Sequence, residues 1–352
     1  MKTATFLFAL IILLFSGCKK QDANTFLIDD TIKSHSKSLK IDTVQLFEEL
    51  IYAKSFFVYQ DSVLIVENNR YSGVFFIEFY DIRYGTLLAK LFSLGNGPNE
   101  MLGTRVTIQD NIMTVNDFRK DQVAFVNIDS VLHSTSYLPQ VIRHYSDSPT
   151  AVRYKEGLIL MENPNCFKNK ELGIDQKAPR FIVTQDKQPY IESNIYQYYT
   201  FNVAQGEILI SNVYNRIIYA DGNLPILEIY DYDRNLIKTV SGPDKLDVKY
   251  VVRDNEVIFS KKIPYTYLHF CTKNEYIYFT YIGDFLVPRK NREEDLPCYL
   301  FKFDWEGNIV DSYYVGRYIT TVSVSSDGKS IYATAFNKEN NPFLIKLQLD
   351  EN

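Results

Sequence analysis

Tryptophan occurs once in the 352 residues, and methionine, histidine and cysteine four times each. No Cys-x-x-Cys, His-x-His or His-Glu-x-x-His spacing is present. Zinc sites are built on such spacings, so no metal is expected, and no cofactor motif replaces it. A Gly-x-Ser-x-Gly elbow is also missing, which leaves nucleophilic serine catalysis without sequence support and assigns no catalytic residue. The histidines, His35, His133, His144 and His269, are scattered. His269, inside the apolar stretch Tyr267-Leu268-His269-Phe270, reads as a hydrogen-bonded structural residue. No long basic stripe occurs and the net charge is −5, which argues against nucleic acid as a partner. Beyond residue 15 no apolar run approaches the ~20 residues that cross a bilayer as a helix. Alanine is sparse and helical periodicity is hard to find, which argues against a helical bundle.

Aromatic residues are abundant instead, with 27 Tyr and 24 Phe, and aromatic excess favours strands. A pattern recurs six times: a turn containing Asp, Asn or Gly, then a short, almost continuously apolar strand. It is seen at Gln60-Asp61-Ser62 before Val63–Val66, at Gln109-Asp110-Asn111 before Ile112–Val115, and at Lys155-Glu156-Gly157 before Leu158–Met161. It returns at Gln205-Gly206-Glu207 before Ile208–Ile210, at Lys273-Asn274-Glu275 before Tyr276–Phe279, and at Ser326–Lys329 before Ile331–Thr334. The spacing of roughly 50 residues lies in the range of propeller repeats. A second element, an aromatic-Asp pair and then a Gly or Asn turn, recurs at Tyr80-Asp81…Gly85, Tyr230-Asp231…Asn235 and Phe303-Asp304…Gly307. Asp can accept bonds from turn amides, and Gly or Asn tolerates positive φ, so each marks an antiparallel hairpin between a third and a fourth strand.

Continuous apolarity needs a cause, because a sheet with one wet face alternates apolar and polar. Blades packed radially, each between two neighbours, bury both faces. A parallel α/β sheet also would, but it needs a helix between strands and the sequence has no room for one. The fold expected is therefore all-β, a six-bladed β-propeller, with a β-sandwich as its rival. The last unit offers only three strands, Ile319–Val324, Ile331–Ala335 and Phe343–Leu349. Residues 38–44 are expected to supply the missing outer strand and clip the two ends together. Cys271 and Cys298 fall on the first and third strands of one blade, ~9–10 Å apart and beyond disulfide reach. With Cys166 they are expected as buried or half-buried thiols.

The N-terminus carries Lys2, then an apolar run of about ten residues from Phe6 to Phe15, the length of a signal-peptide core. Ser16-Gly17-Cys18 follows, and Lys19, Lys20, Gln21 and Asp22 end the run abruptly. The arrangement resembles the lipobox of bacterial lipoproteins, with Phe15 where Leu is commoner. It implies lipidation at Cys18, membrane attachment through that lipid, and an exported protein held in the cell envelope. Lys19-Lys20 lacks the Asp that retains lipoproteins at the inner membrane, which favours the outer one. The expected organisation is a signal peptide over 1–17, a lipidated tether over 18–37 and the propeller over 38–352.

Leu94-Gly95-Asn96-Gly97-Pro98-Asn99-Glu100 ends the first blade. Gly95 and Gly97 permit a tight inter-blade turn, Pro98 stiffens it, and Glu100 can bind free backbone amides. The loop resembles the Gly-x-Gly-Pro-x-Glu loop of six-bladed propeller lipoproteins of TolB-like or NHL-like type, with Met101-Leu102 where an aromatic is commoner after the Glu. The resemblance implies architecture and envelope location and carries over no catalytic residue. Candidate ligand-facing residues are Asp117, which follows an inner strand, the aromatic run with Tyr196, Tyr198 and Tyr199, and Arg289 and Arg292 in a long charged loop. The function expected is a non-enzymatic binding or scaffold propeller for a protein, peptide or glycan. The alternative is a glycan-acting hydrolase or lyase using carboxylates at the central channel. Converging acids of perturbed pKa would favour the enzyme, and a broad exposed apolar or aromatic patch the scaffold.

Overall fold

Apolar residues on both faces of a strand can leave water only between two other sheets, and the chain meets that demand six times. The structure is a computed structural model. It describes residues 25–349 apart from 47–49, 51–52, 70–74, 118, 135, 144–149, 156–157, 163–179, 184–205, 247–249, 254–255, 260–263 and 286–297. Blade one is Ala53–Tyr59, Val63–Asn68, Phe75–Asp81 and Leu87–Leu94, in that order from the axis outward. Blade two is Arg105–Gln109, Ile112–Asp117, Gln122–Asn127 and Gln140–Arg143, and blade three shows Ala151–Arg153, Ile159–Glu162 and Phe181–Val183. Blade four is Gly206–Ser211, Arg216–Asp221, Ile226–Asp231 and Leu236–Ser241; blade five is Pro264–Lys273, Tyr276–Phe285, Tyr299–Asp304 and Ile309–Tyr314. Blade six is Ile319–Val324, Ser330–Phe336 and Pro342–Gln348. A small hairpin, Tyr250–Arg253 with Glu256–Phe259, lies between blades four and five in the chain.

The buried apolar residues divide into six clusters, one for each junction between neighbouring blades. Ile65 and Phe79 of blade one meet Met113 and Val115 of blade two, and Leu209 and Ile218 of blade four meet Phe279 and Phe303 of blade five. The sixth cluster closes the ring, packing Tyr332 and Leu344 of blade six on Phe56 and Leu64 of blade one. A sandwich would hold one core between two layers, so this division excludes it. Hydroxyls reinforce the closure: the Phe56 amide donates to Thr334 Oγ1 at 2.8 Å, and Thr321 Oγ1 donates to the Phe56 carbonyl at 2.8 Å.

Lys40–Thr43 pairs antiparallel with Pro342–Gln348 and is the fourth strand of blade six, within the segment expected to close the ring. The stretch before it differs from a free tether. Thr25–Leu27 adds a parallel strand to the outer edge of blade four, and Lys37–Ser38 adds one to blade five. Between them a one-turn helix, Thr31–Ser34, is pinned by Lys33, whose Nζ lies 2.6 Å from Asp244 Oδ1. The polar composition that suggests a tether also suits an edge strand, which has a wet side and charged residues that discourage further pairing.

The Asp turns bind their own backbones as expected. Asp231 Oδ1 accepts from the amides of Asp233 and Asn235, and Asp304 Oδ1 from those of Glu306 and Asn308. Asn337 does the same in blade six, for Glu339 and Asn341. Gly85 and Gly307 take positive φ, but in the blade-four turn Arg234, not Asn235, holds it, at 74°. The fourth copy of the repeat is also out of phase. Five copies fall on second strands, whereas Ile208–Ile210 lies on the inner strand of blade four. That inner strand is buried from Gly206 to Leu209, so its apolarity imitates a second strand.

Candidate functional site

Strands that leave the core at the same end of each blade place their last polar residues at one level. Register pairs Ser55 with Glu67 in blade one, Arg105 with Asn116 in blade two and Gly206 with Asp221 in blade four. In blade three the Glu162 amide donates to the Thr150 carbonyl at the same level. The starts of the inner strands and the ends of the second strands thus gather buried Ser55, Glu67, Asn116, Thr150, Glu162, Glu207 and Asp221 at one end of the ring.

Blade one's share is self-contained. Glu67 accepts from Lys54 Nζ at 2.7 Å, Ser55 Oγ at 2.8 Å and Thr104 Oγ1 at 3.1 Å. Blades two to four are linked across the axis. The inner strand of blade three, Ala151–Arg153, is short, and on its inner side blades two and four meet. Arg105 Nη2 lies 2.5 Å from Glu207 Oε1, and the Gln109 side-chain amide donates to the Ile210 carbonyl. The negative charge of Glu207 holds the Arg105 guanidinium above its already high range. Arg105 keeps a third of its side chain exposed and Lys54 nearly half, so water reaches the rim, while Glu207 is 5 % exposed below it.

Beneath that rim lie two acids out of water. Burial pushes Glu162 up to about 8, against a bond from Tyr219 Oη (2.6 Å to Oε1) and the attraction of Arg180. Burial likewise pushes Asp221 up to about 7, although its Oδ1 accepts from the amides of Asn223 and Leu224. Arg180 sits 4.3 Å over the Tyr219 ring and forms a two-point ion pair with Glu228. Gly206 makes the approach of Tyr219 possible, since a Cβ there would lie 2.7 Å from the ring and 2.2 Å from the Ala220 carbonyl. Among the described residues, Glu162 Oε2, Glu207 Oε2, Asn116 Oδ1 and, near the start of blade six's inner strand, Thr320 Oγ1 have no hydrogen-bond partner. Buried polar atoms are nearly always paired with protein, water or ligand. Open atoms also occur at the opposite end, on Asp61, Arg216, Thr272 and Trp305, and what sets this end apart as the candidate site is that its open atoms belong to or adjoin buried acids. His269, half-buried in blade five, is pushed down to about 3 by burial and by the charges of Arg105 and Lys54.

The residues singled out in the sequence fare differently. Glu100 Oε2 accepts from the Gly97 amide at 2.7 Å, Gly95 and Gly97 leave space for its carboxylate, and Pro98 lies in the turn between Gly97 and Glu100. Lys120 Nζ fastens this loop to blade two through the carbonyls of Gly97 (3.0 Å) and Glu100 (2.6 Å). Asp117 does not face the channel. It is fully buried, and its oxygens accept from the amides of Leu102 (2.6 Å) and Arg119 (3.0 Å), which ties it to the same inter-blade connection. Alternation along the strand sends the preceding residue, Asn116, to the blade-three face, where its Nδ2 donates to the Ala151 carbonyl at 3.3 Å, and Asp117 to the opposite one. Cys271 and Cys298 are free, buried thiols, and burial raises both, Cys298 to about 12. Cys18, Cys166, Tyr196, Tyr198, Tyr199, Arg289 and Arg292 lie outside the described residues. Sequence reading missed Glu162, Glu207 and Asp221. The signal for Glu162 and Asp221 is an acid or amide directly after an apolar strand, as in Val66-Glu67, Val115-Asn116, Met161-Glu162 and Ala220-Asp221; Glu207 precedes its strand and lacks it.

No curated protein matches the sequence. Among solved structures, one from Bacteroides vulgatus is similar at a TM-score of 0.51 and 11% identity, over 89% of this chain and 96% of that one. One from Bacteroides fragilis gives 0.47 and 10%, over 93% and 99%, and a virginiamycin B lyase from Staphylococcus aureus gives 0.43 and 11%, over 89% and 100%. The sequence profile of a family described as TolB-like 6-blade propeller-like matches residues 34–327.

Proposed function

The chain belongs to the TolB-like six-bladed propeller family, and from that premise we propose that it is an exported, lipid-anchored binding protein of the cell envelope. Its ligand enters at the polar end of the channel. The observation that carries this reading is the group of buried oxygens on Glu162, Glu207 and Asn116 with no partner among the described residues, among buried acids and below the solvent-reached Arg105 and Lys54. Open acceptors on Glu207 and Asn116 call for O–H or N–H donors and the protonated Glu162 offers a donor of its own, so a ligand rich in both, a glycan or a peptide, fits. Export and attachment at Cys18 rest on Lys2, the apolar run to Phe15 and Ser16-Gly17-Cys18, and outer-membrane placement on Lys19-Lys20.

Binding is favoured over catalysis because the acids are already committed. Glu162 is held by Tyr219, Glu207 by Arg105 and Asp221 by turn amides. A glycan-cleaving enzyme is the second reading, favoured by one feature: Glu162 keeps its proton near neutral pH, as a general acid must. Thermal-shift and calorimetric titration against neutral oligosaccharides and short peptides separates the two. A saturable ligand whose binding is lost in Glu207→Gln, with folding retained, supports the proposal. Release of new reducing ends would replace it by hydrolysis. No response from either class would remove the channel end as the site.

A further inference from the structure

The first described strand, Thr25–Leu27, lies on the outer edge of blade four. Cys18 is seven residues before Thr25. At ~3.3–3.6 Å per residue, that length reaches at most about 25 Å even fully extended. A blade of four or five strands spaced ~4.8 Å is roughly 15–20 Å deep, so a ring of two opposed blades and an axis measures about 40 Å or more. A lipid on Cys18 therefore cannot hold the far side of the ring, where blade one stands, against the bilayer. It can hold only the blade-four side.

That side is apolar where it should be wet. Phe26 is 54% exposed, Leu27 68%, Leu236 49% and Ile237 37%. The parallel register sets Phe26 opposite Val240 and Leu27 opposite Ser241. A bulge pairs Lys238 with Ile229 but Leu236 with Tyr230, so Phe26 and Lys238 share one face of the blade edge and Leu27 and Leu236 the other, with Ile237 at the bulge. On the Phe26 face Lys238 holds its Nζ 4.3 Å from the centre of the Phe26 ring, and Asn308 Oδ1 accepts from that ammonium at 2.9 Å. An aromatic ring beside a lysine, with aliphatic side chains around it, suits the boundary between acyl chains and headgroups. Exposure alone does not select this edge, since Leu87 and Leu88 on blade one are each 46% exposed. The anchor position selects it.

We infer that the outer edge of blade four, through Phe26, Leu27, Leu236 and Ile237, rests in the lipid surface, so that the propeller stands on its rim with the channel axis along the membrane plane. The inference builds on the proposed lipid at Cys18 and adds which surface meets the bilayer. Contact is shallow, limited to side chains, because the backbone of an edge strand needs water or headgroups for its free N–H and C=O groups. Both ends of the channel stay open to solvent in this posture.

The test uses the full chain, processed and lipidated, in phosphatidylcholine vesicles containing lipid brominated on its acyl chains. Trp305 is the only native tryptophan and is buried. Phe26→Trp and Leu88→Trp each add one exposed reporter at opposite sides of the ring. The expected result is at least a twofold loss of emission for Phe26→Trp over plain vesicles and no change for Leu88→Trp. Equal quenching of both, or none at Phe26→Trp while the intact mass shows the lipid and the protein floats with vesicles, overturns the posture and leaves the anchor standing. A mass without lipid and no vesicle recovery overturns both. Concentration-dependent dimers without quenching would assign the edge to a second copy of the chain and likewise refute it.

Discussion

Replacing Glu162 by Gln separates the charge of this buried acid from its shape. In the folded protein the carboxyl holds its proton up to about pH 8, and in the unfolded chain only to the ordinary 4.5. Between those values the folded state binds the extra proton. Stability therefore falls as pH rises through that window, and the loss is complete above it. At about 1.4 kcal/mol for each unit between the two values, the full penalty is roughly 5 kcal/mol, of which about 1.4 is present by pH 5.5. Glu162→Gln does not titrate. It can still accept from Tyr219, while its amide places two N–H donors where the protonated acid has a single unpartnered O–H. That misfit costs ~1–3 kcal/mol independent of pH. The expected signature is a change of slope. Relative to the parent, the variant should gain about 3–4 kcal/mol between pH 5.5 and 8.5, seen as roughly 4–6 °C in Tm for a chain of this size. Urea or thermal unfolding at the two pH values measures it, with Asp221 titrating alike in both proteins. Parallel profiles would mean that Glu162 is ionised in the fold and that the reasoning about its burial is wrong.

Other outcomes follow from the same coordinates. Gly95→Ala puts a Cβ 2.1 Å from Glu100 Oε2 and should displace the carboxylate from the Gly97 amide, costing about 1–2 kcal/mol in urea unfolding; Gly97→Ala, with 3.0 Å to the same atom, should cost less. Val44→Pro removes the amide that donates to the Leu344 carbonyl at 3.0 Å at the end of the closing strand and should lower stability by about 1–3 kcal/mol. An unchanged urea midpoint would deny the closing strand its role. At pH 8, Cys271 and Cys298 should resist maleimide in the native protein and label rapidly once unfolded, because burial raises both thiols. Peptide mass mapping reads each separately, and fast native labelling at either would contradict its burial.

Much of the fold was legible because propellers write a radial packing problem into a linear pattern. Val63–Asn68 is buried along its whole length, and an element with two dry faces shows a run of apolar residues wherever it lies in the chain. Turn chemistry is equally local: Asp304 and Asn308 meet within five residues whatever surrounds them. The same locality explains the phase error at Ile208, since an inner strand buried at its start reads like a second strand. It also explains the lacing of residues 25–38, because a polar segment carries no mark that tells a tether from an edge strand.

What the sequence by itself determined is the all-β character, the sixfold repeat, the hairpin turns and the strand that closes blade six, since each depends on residues near one another or on a periodic demand for burial. Only the tertiary structure decided the polar end of the channel. Arg105 finds Glu207 and Glu162 finds Tyr219 across 102 and 57 residues of chain. The raised affinity of Glu162 and Asp221 for a proton comes from exclusion of water by neighbouring blades, a property of the enclosure that no stretch of sequence contains.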